Sequence, residues 1–146
     1  MPSPKGLDAL EKRLKNMRGA ALRKRIGSVL YAAGEMVEAE AYLSIMAGAG
    51  SGTKGGKHQH TASAPREPPD NFEGGLAKGI VTNKRVEDVP GGIGVRVIST
   101  AEYAAYLEYG TSKMAARPYM RPAADKVAPT ARRLVAIAVR AAGKVK

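Results

Sequence analysis

The sequence predicts an α+β fold: amphipathic N-terminal helices, a small antiparallel sheet, a short tyrosine-rich helix and a C-terminal helix, with a long Gly/Pro-rich central loop. Apolar residues recur at helical spacing through residues 1–47 and again after residue 120, and they alternate as in a strand at Ile93, Val95 and Val97. Residues 48–74 have no apolar period. Because 146 residues suffice for one core, we expect a single domain over 1–146, with the sheet and C-terminal helices in 75–146.

The charge of the chain is strongly and unevenly basic. The chain has 24 Lys and Arg against 13 Asp and Glu, which gives a net charge of +11. Residues 1–25 carry 8 basic and 2 acidic side chains, and residues 117–146 carry 8 basic and 1 acidic. Two basic ends suit an anionic partner such as nucleic acid, although a solvated basic face would have the same composition.

The composition argues against several classes of protein. The chain has no cysteine, which excludes a disulfide framework and a thiolate metal site. The start "MPSPKGLDAL" lacks the apolar region of a secretory signal, and no run of about 18 apolar residues occurs. We therefore expect a soluble intracellular product with no membrane partner.

The first 47 residues predict two amphipathic helices separated near Gly19. The first places apolar residues at Leu7, Leu10, Leu14 and Met17, and the second at Leu22, Ile26, Val29, Leu30, Ala33 and Val37. The second helix begins with a basic run at 23–25 and ends with Glu35, Glu38 and Glu40. Since this order opposes the helix dipole, the acidic end either is a solvated face or pairs with a basic neighbour.

The central loop, residues 48–74, contains six glycines and three prolines. Such a segment is disordered on its own, so we expect it to gain order by packing against a neighbouring subunit. Its "GSGTKG" follows a helix rather than a strand, which argues against a dinucleotide-binding loop. The pair His58 and His60 lacks the further ligands that zinc requires. We expect no cofactor and no metal site.

Residues 75–99 predict two strands joined by a turn, with "VPGG" at 89–92 as the break before the second. Ser99 and Glu102 have the spacing of a capping box, and Gly110 is placed as a C-terminal stop. Together they predict a helix of about three turns that contains three of the six tyrosines.

Proline determines the expected path after that helix. Pro118 and Pro122 predict an extended passage, because each disfavours a helical conformation in the residue before it. Pro122 can start the last helix, with Asp125 in its first turn. Pro129 should kink that helix or reset its start. The remainder, "ARRLVAIAVRAAGKVK", is apolar on one side and basic on the other.

Two stretches resemble motifs of a known family. "YAAYLEYGTSKMAARPYMRPA" resembles the C-terminal signature of the tail-component family of long-tailed bacteriophages, the neck or tail-completion proteins near the head–tail junction. "HTASAPREPPDNFEGGLAKGI" resembles a second motif, although Glu73 replaces its threonine and Gly79 its serine. The matching positions are Tyr103, Ala104, Tyr106, Glu108, Tyr109, Gly110, Thr111, Ala116, Arg117, Pro118, Tyr119, Pro122 and Ala123 in the first, and His60, Ser63, Pro65, Pro68, Pro69, Gly74 or Gly75, Leu76 and Ile80 in the second.

The resemblance implies a structural virion protein without catalysis, which forms a ring at the head–tail junction and part of the DNA conduit. It implies a hexamer, with a dodecamer as the alternative, that contacts adjoining neck, connector and tail proteins and lets double-stranded DNA pass without sequence recognition. The protein would be assembled in the host cytoplasm and located in the neck or tail of the virion. Composition alone leaves a second interpretation, a free, sequence-independent nucleic-acid-binding protein.

The tyrosine-rich motif predicts the assembly interface, because aromatic and arginine side chains dominate buried contact patches. The predicted interface residues are Tyr106, Glu108, Tyr109, Gly110, Arg117, Pro118, Tyr119 and Pro122. We expect Tyr103 and Leu107 to lie in the core instead. We also expect Glu108 and Arg117 to form a charge-assisted pair, within one subunit or across the ring joint.

The basic clusters are candidates for a surface that faces DNA, since dispersed Lys and Arg attract a duplex without reading its sequence. The N-terminal cluster Arg23, Lys24 and Arg25 is favoured over the C-terminal cluster Arg132, Arg133, Arg140 and Lys144. Glu87 and Asp88 are expected to be surface turn residues without a special role.

Overall fold

The N-terminal part of the chain forms two helices, as predicted. The structure, a computed structural model, describes residues 5–48, 50–52, 54–55, 60–71 and 74–144. Helix α1 spans Lys5–Arg18 and helix α2 spans Ala20–Met46. Gly19 separates them in an extended conformation, with φ −84° and ψ 167°. The chain can change direction there, because an extended residue interrupts the helical hydrogen bonds.

The described parts of the central loop are held by the chain itself. Strands β1, Lys54–Gly55, and β2, His60–Thr61, pair antiparallel. The Arg66 amide donates to the Ala116 carbonyl at 2.9 Å, and Ser63 is buried. Contacts within one chain therefore hold these residues, and the expectation that the loop packs against a neighbouring subunit stays a prediction. The statements on "GSGTKG", on the pair His58 and His60 and on Glu73 each involve a position outside the described residues.

A short helix and a hairpin follow the loop. Helix α3 spans Gly75–Lys78. Strand β3, Ile80–Thr82, pairs antiparallel with β6, Val97–Ser99, and strand β4, Glu87–Val89, pairs antiparallel with β5, Gly92–Gly94. Gly91 in the tip has φ +85°, which glycine adopts without steric cost. The predicted pair of strands is confirmed, with each strand divided into two short segments.

Helix α4 spans Ala104–Tyr109 and is shorter than predicted. The capping box is wrong, because Ser99 ends β6 and α4 begins after Tyr103 with no side-chain cap. The predicted C-terminal stop holds, since Gly110 follows the last helical residue with φ +77°. The sheet takes Ser99 because its backbone pairs with Ile80, and this pairing overrides the local capping signal.

Helix α5 spans Met120–Gly143 and is the C-terminal helix that the sequence predicts. It starts before Pro122, so Asp125 lies beyond its first turn, which contains no acidic residue. The helix continues through Pro129, so this proline does not reset its start. A carboxylate from elsewhere in the chain takes the place at the helix N-terminus that Asp125 was expected to fill.

The core lies where α2, α5, α3 and the hairpin meet. Helices α2 and α5 run antiparallel: Glu40 near the end of α2 pairs with Lys126 near the start of α5, and Arg25 and Lys144 line one pocket at the other end. The buried cluster consists of Ala41, Ile45, Leu76, Ala77, Ile80, Ala104, Tyr119 and Ala123. Leu107 packs against it as expected, whereas Tyr103 is 48% exposed, so its assignment to the core is wrong.

The acidic end of α2 ties this helix to its neighbours. The Glu38 carboxylate accepts hydrogen bonds from the Thr82 amide at 2.8 Å and the Thr82 hydroxyl at 2.7 Å. A Cβ at Gly34 would lie 2.6 Å from Thr82 Cγ2, so glycine lets α2 approach the hairpin this closely. Glu40 pairs with Lys126, and Glu35 is exposed. Pairing and solvation, the two alternatives for this acidic end, thus apply to different glutamates.

Candidate assembly surface

The carboxylate of Glu108 caps helix α5 from outside that helix. It accepts hydrogen bonds from the backbone amides of Tyr119 at 2.9 Å, Met120 at 3.0 Å and Arg121 at 2.9 Å. The first amides of a helix have no partner within the helix, and its positive end attracts an anion. Glu108, the second-last residue of α4, therefore fixes the angle between α4 and α5.

Arg117 makes a different set of contacts from the one predicted. Its Nε donates to the Ser63 carbonyl at 3.0 Å, and its amide donates to the Leu107 carbonyl at 2.7 Å. The expected ion pair with Glu108 does not form within the chain, because the Glu108 oxygens are directed to the amides of α5 while Arg117 reaches back to the central loop. Hydrogen bonds to backbone groups thus hold the connection between α4 and α5, and a Glu108–Arg117 pair across subunits stays a prediction.

Gly110 is required by the geometry of the same connection. Its φ is +77°, and a Cβ there would lie 2.8 Å from both the Ala116 amide nitrogen and the Met114 carbonyl oxygen. A side chain would have to displace backbone, which flexible neighbours cannot relieve. The path of the chain thus requires glycine at this position, and the place of Gly110 in an assembly interface stays a prediction.

Two tyrosines of α4 are presented to solvent on this frame. Tyr106 is 60% exposed and Tyr109 is 81% exposed. Large aromatic side chains in solvent are typical anchors of protein interfaces. The prediction that both belong to an assembly interface stays a prediction, and their exposure leaves both side chains free to make it.

Tyr119 occupies a different environment. It is 1% exposed and is one of the largest fully buried side chains, so the structure corrects its assignment to an interface. Burial raises the pKa of its hydroxyl above the ordinary 10.0, and Ser99 beside it opposes that shift. Pro118 is half-buried, and Pro122 is exposed in the first turn of α5.

An apolar groove of about 560 Å³ opens beside Tyr109. Its walls come from α2, the hairpin, α5 and the end of α4. The lining residues are Leu30, Ala33, Gly34, Val37, Val95, Val97, Glu108, Tyr109, Met120, Arg121, Ala124, Val127, Ala128 and Ala131. Most of these side chains are apolar, and an apolar concavity of this size is a typical feature of a binding surface.

The basic ends of the chain meet at one end of the molecule. Arg25 and Lys144 line the same pocket, and the Nε of Arg13 donates to the Gly143 carbonyl at 3.0 Å. Arg140 is exposed one turn before Lys144. We call Arg13, Arg25, Arg140 and Lys144 the basic end. The two clusters that the sequence offered as alternatives thus contribute to one surface.

Other charged residues have partners that the sequence did not suggest. Arg23 pairs with Asp88 at 2.7 Å, and Arg96 pairs with Glu87 at 2.7 Å. Asp88 and Glu87 are therefore not isolated turn residues, and Arg23 is partly neutralised by its partner. Lys24 is exposed.

The described residues hold no further feature of a metal-binding or membrane-spanning protein. Among them, no three metal-ligating side chains lie together. No helix in the described ranges is both long and apolar enough to cross a bilayer.

The sequence analysis predicted neither the apolar groove nor the Glu108 cap, for different reasons. The residues that line the groove come from four elements that lie far apart in the chain. Within the sequence, the groove could have been inferred only from small residues at helical spacing, such as Ala124, Ala128 and Ala131. The cap joins residues on either side of an irregular connection, where no periodic pattern applies.

Comparison with known proteins supplies the family. Residues 8–110 match the family model described as "Bacteriophage HK97-gp10, putative tail-component". The matched span ends at Gly110 and so includes the exposed tyrosines and Glu108 but not the segment from Arg117 to Pro122. No curated protein and no solved structure matches the chain. Because the match covers more than two thirds of the sequence, the chain belongs to the HK97-gp10-like family of bacteriophage tail components and is a structural protein of the virion.

Proposed function

We propose that the protein forms a closed head-to-tail ring in the neck or tail of the virion, at the head–tail junction, and that the ring has six copies. An interface between two different patches of one subunit generates a ring when the rotation closes. The observation that carries the proposal is the exposure of Tyr106 and Tyr109 on a helix held by Glu108, with Tyr109 lining an apolar groove that no described segment fills.

The frame supports this role because an interface needs its anchors at a fixed position. The Glu108 cap and the Gly110 turn determine the direction of α4 relative to α5. Tyr106 and Tyr109 are then presented with little freedom of the backbone, which lowers the entropic cost of association. A flexible loop with the same aromatic residues would lack this advantage.

The basic end supports a second part of the proposal, that the ring lines the path of DNA. Arg25, Arg140 and Lys144 form a dispersed positive surface without an aromatic base-stacking platform. Such a surface attracts a duplex weakly and without sequence preference, so DNA can slide past it. Contacts with adjoining neck, connector and tail proteins would use the remaining faces of the ring.

The assembly role can be tested with Tyr106→Ser and Tyr109→Ser in phage-producing cells. Both side chains are exposed, so the variants should fold with an unchanged Tm while electron microscopy of the lysates finds filled heads and tails that have not joined. Leu43→Ser, which removes another exposed apolar side chain (59% exposed), is the matched control and should give complete particles. Complete particles from the tyrosine variants at the control level would refute the proposed interface.

Chromatography on immobilised DNA distinguishes a ring subunit from a free DNA-binding protein. The purified chain should pass immobilised duplex DNA with weak retention that disappears at moderate salt, because few phosphates are contacted by one subunit. Tight retention of a monomer at physiological salt would favour a nucleic-acid-binding protein over a ring subunit.

A further inference from the structure

The apolar groove is uncovered in the isolated chain. It has a volume of about 560 Å³ between α2, α5 and the hairpin, and no described segment of the chain fills it. Val37 and Val97, which line it, also pack against the core, and the half-buried Leu30 and Val95 line it as well. A groove lined in this way is suited to a helix that offers an apolar ridge.

Helix α1 offers such a ridge. Leu7, Leu10 and Leu14 are 57%, 50% and 47% exposed and are spaced by three and four residues, which aligns them on one face. We call them the leucine stripe. An amphipathic helix with an exposed apolar face lacks the burial that normally stabilises it. Helix α1 contacts α5 and α2, yet about half of each leucine side chain stays exposed, so the stripe and the groove are two apolar surfaces that the described residues leave partly uncovered.

The charges around the two surfaces are complementary. Residues 5–18 carry five basic and two acidic side chains, so α1 has a net positive charge. Residues 26–46 of α2 contain three glutamates and no basic residue. Glu38 and Glu40 are engaged by Thr82 and Lys126, so the exposed Glu35, next to the groove-lining Gly34, is the acidic group that remains for the basic residues of α1. Complementary charge favours this pairing and its register over contact between two like helices.

The stripe and the groove lie at different ends of α5. Helix α1 is attached near the end of α5, where Arg13 bonds the Gly143 carbonyl. The groove uses the first half of α5, and at 1.5 Å per residue Val127 lies about 24 Å from Gly143. Two complementary patches at separate places on one subunit produce a head-to-tail contact rather than a symmetric dimer.

We propose that the leucine stripe of one copy docks into the apolar groove of the next copy and closes the joint of the ring. This inference rests on the proposed ring and names the segment that joins its subunits. Gly19, the extended residue between α1 and α2, lets the helix lean away from its own subunit. Tyr109 stands at the mouth of the groove and covers the docked helix.

Cysteine cross-linking tests the docking, and the natural absence of cysteine makes every introduced thiol specific. A chain with Leu10→Cys and Ala124→Cys has one thiol on the stripe and one in the groove. Assembled particles carrying it, treated with a short thiol-reactive cross-linker, should yield a ladder of covalent oligomers on a denaturing gel. The matched control, Leu43→Cys with Ala124→Cys, places the first thiol on exposed α2 and should stay monomeric.

Each result of this experiment has a defined meaning. A ladder with the Leu10 pair and none with the control supports the docking. A cross-link confined to single chains means that α1 occupies its own groove, and this overturns the inference. Normal particles with no ladder also overturn it while leaving the ring intact, whereas absence of the chain from neck and tail refutes the proposed function itself.

A charge substitution supplies an independent measurement. Leu10→Glu should reduce incorporation of the chain into particles by about tenfold or more relative to Leu43→Glu, since an interface anchor tolerates a buried charge poorly. Leu10 is 50% and Leu43 59% exposed, so the two changes should lower the Tm of the isolated chain to a similar, small extent. Equal incorporation of the two variants would contradict the docking.

Discussion

Replacement of Glu108 by alanine tests the capping contact between α4 and α5. The change removes the acceptor of three backbone hydrogen bonds of 2.9–3.0 Å at the start of α5. Loss of a helix cap costs about 1 kcal/mol and up to about 2, and loss of a favourable charge at the helix N-terminus costs about 0.3–1 kcal/mol, or more where partly buried. Glu108 is half-buried, so we expect the free energy of unfolding to fall by about 2–3 kcal/mol.

Thermal and urea unfolding measure this loss directly. For a chain of this length, about 2–3 kcal/mol corresponds to a decrease in Tm of roughly 4–12 °C. Glu108→Gln keeps one acceptor oxygen but no charge, so its free energy of unfolding should fall by about half as much. Glu102→Ala removes an exposed carboxylate before α4 and is the control, expected within about 0.5 kcal/mol of the natural chain. If Glu108→Ala is no less stable than Glu102→Ala, the cap does not hold the two helices together.

Three further predictions concern the stability of the folded chain. Gly110→Ala should lower the free energy of unfolding by about 2 kcal/mol or more, because the new Cβ would lie 2.8 Å from backbone atoms at a φ of +77°. The control is Gly92→Ala, whose Cβ would meet nothing within 4 Å. Equal urea midpoints for the two variants would contradict the reasoning. Glu38→Ala should cost about 1–3 kcal/mol in urea unfolding, since the buried Thr82 loses its acceptor, and a change below about 0.5 kcal/mol would exclude this role. The raised pKa of Tyr119 means that its hydroxyl deprotonates in the unfolded chain at a lower pH than in the folded chain, so this group should destabilise the natural chain above pH 10.0 by at most about 1.4 kcal/mol per pH unit. The pKa of Tyr31 is also raised, by its hydrogen bond with Glu35, so Tyr119→Phe should lose less stability than the natural chain; parallel pH curves would refute the role of Tyr119.

The sequence predicted those parts of the fold that depend on local periodicity. The helices of the first 47 residues, the paired strands around the "VPGG" turn and the C-terminal helix were all expected from spacing. Where a local signal competed with sheet pairing, pairing prevailed. Ser99 joined β6 through its contact with Ile80 instead of capping the next helix.

The sequence identified the segment that contains the candidate site, but not which of its side chains are buried and which are exposed. The sequence identified Tyr106 and Tyr109, whose exposure is consistent with an interface, yet it also placed Tyr119 there and Tyr103 in the core. Nothing in residue spacing distinguishes these tyrosines, because their burial depends on how α4 and α5 cross. The crossing depends on the Glu108 cap, which joins α4 to the start of α5. The connection between these two helices is irregular, so no periodic pattern predicts the contact.

The central claim is that copies of this chain close into a ring on the axis of the virion. The most direct measurement is a cryo-electron microscopy map of the intact particle, reconstructed through the neck and upper tail without imposed symmetry. The account predicts a closed ring of six copies around the DNA path, with Tyr106 and Tyr109 at each joint and the basic end facing the lumen. Copies found as isolated subunits away from the axis, or absent from the neck and tail, would contradict it.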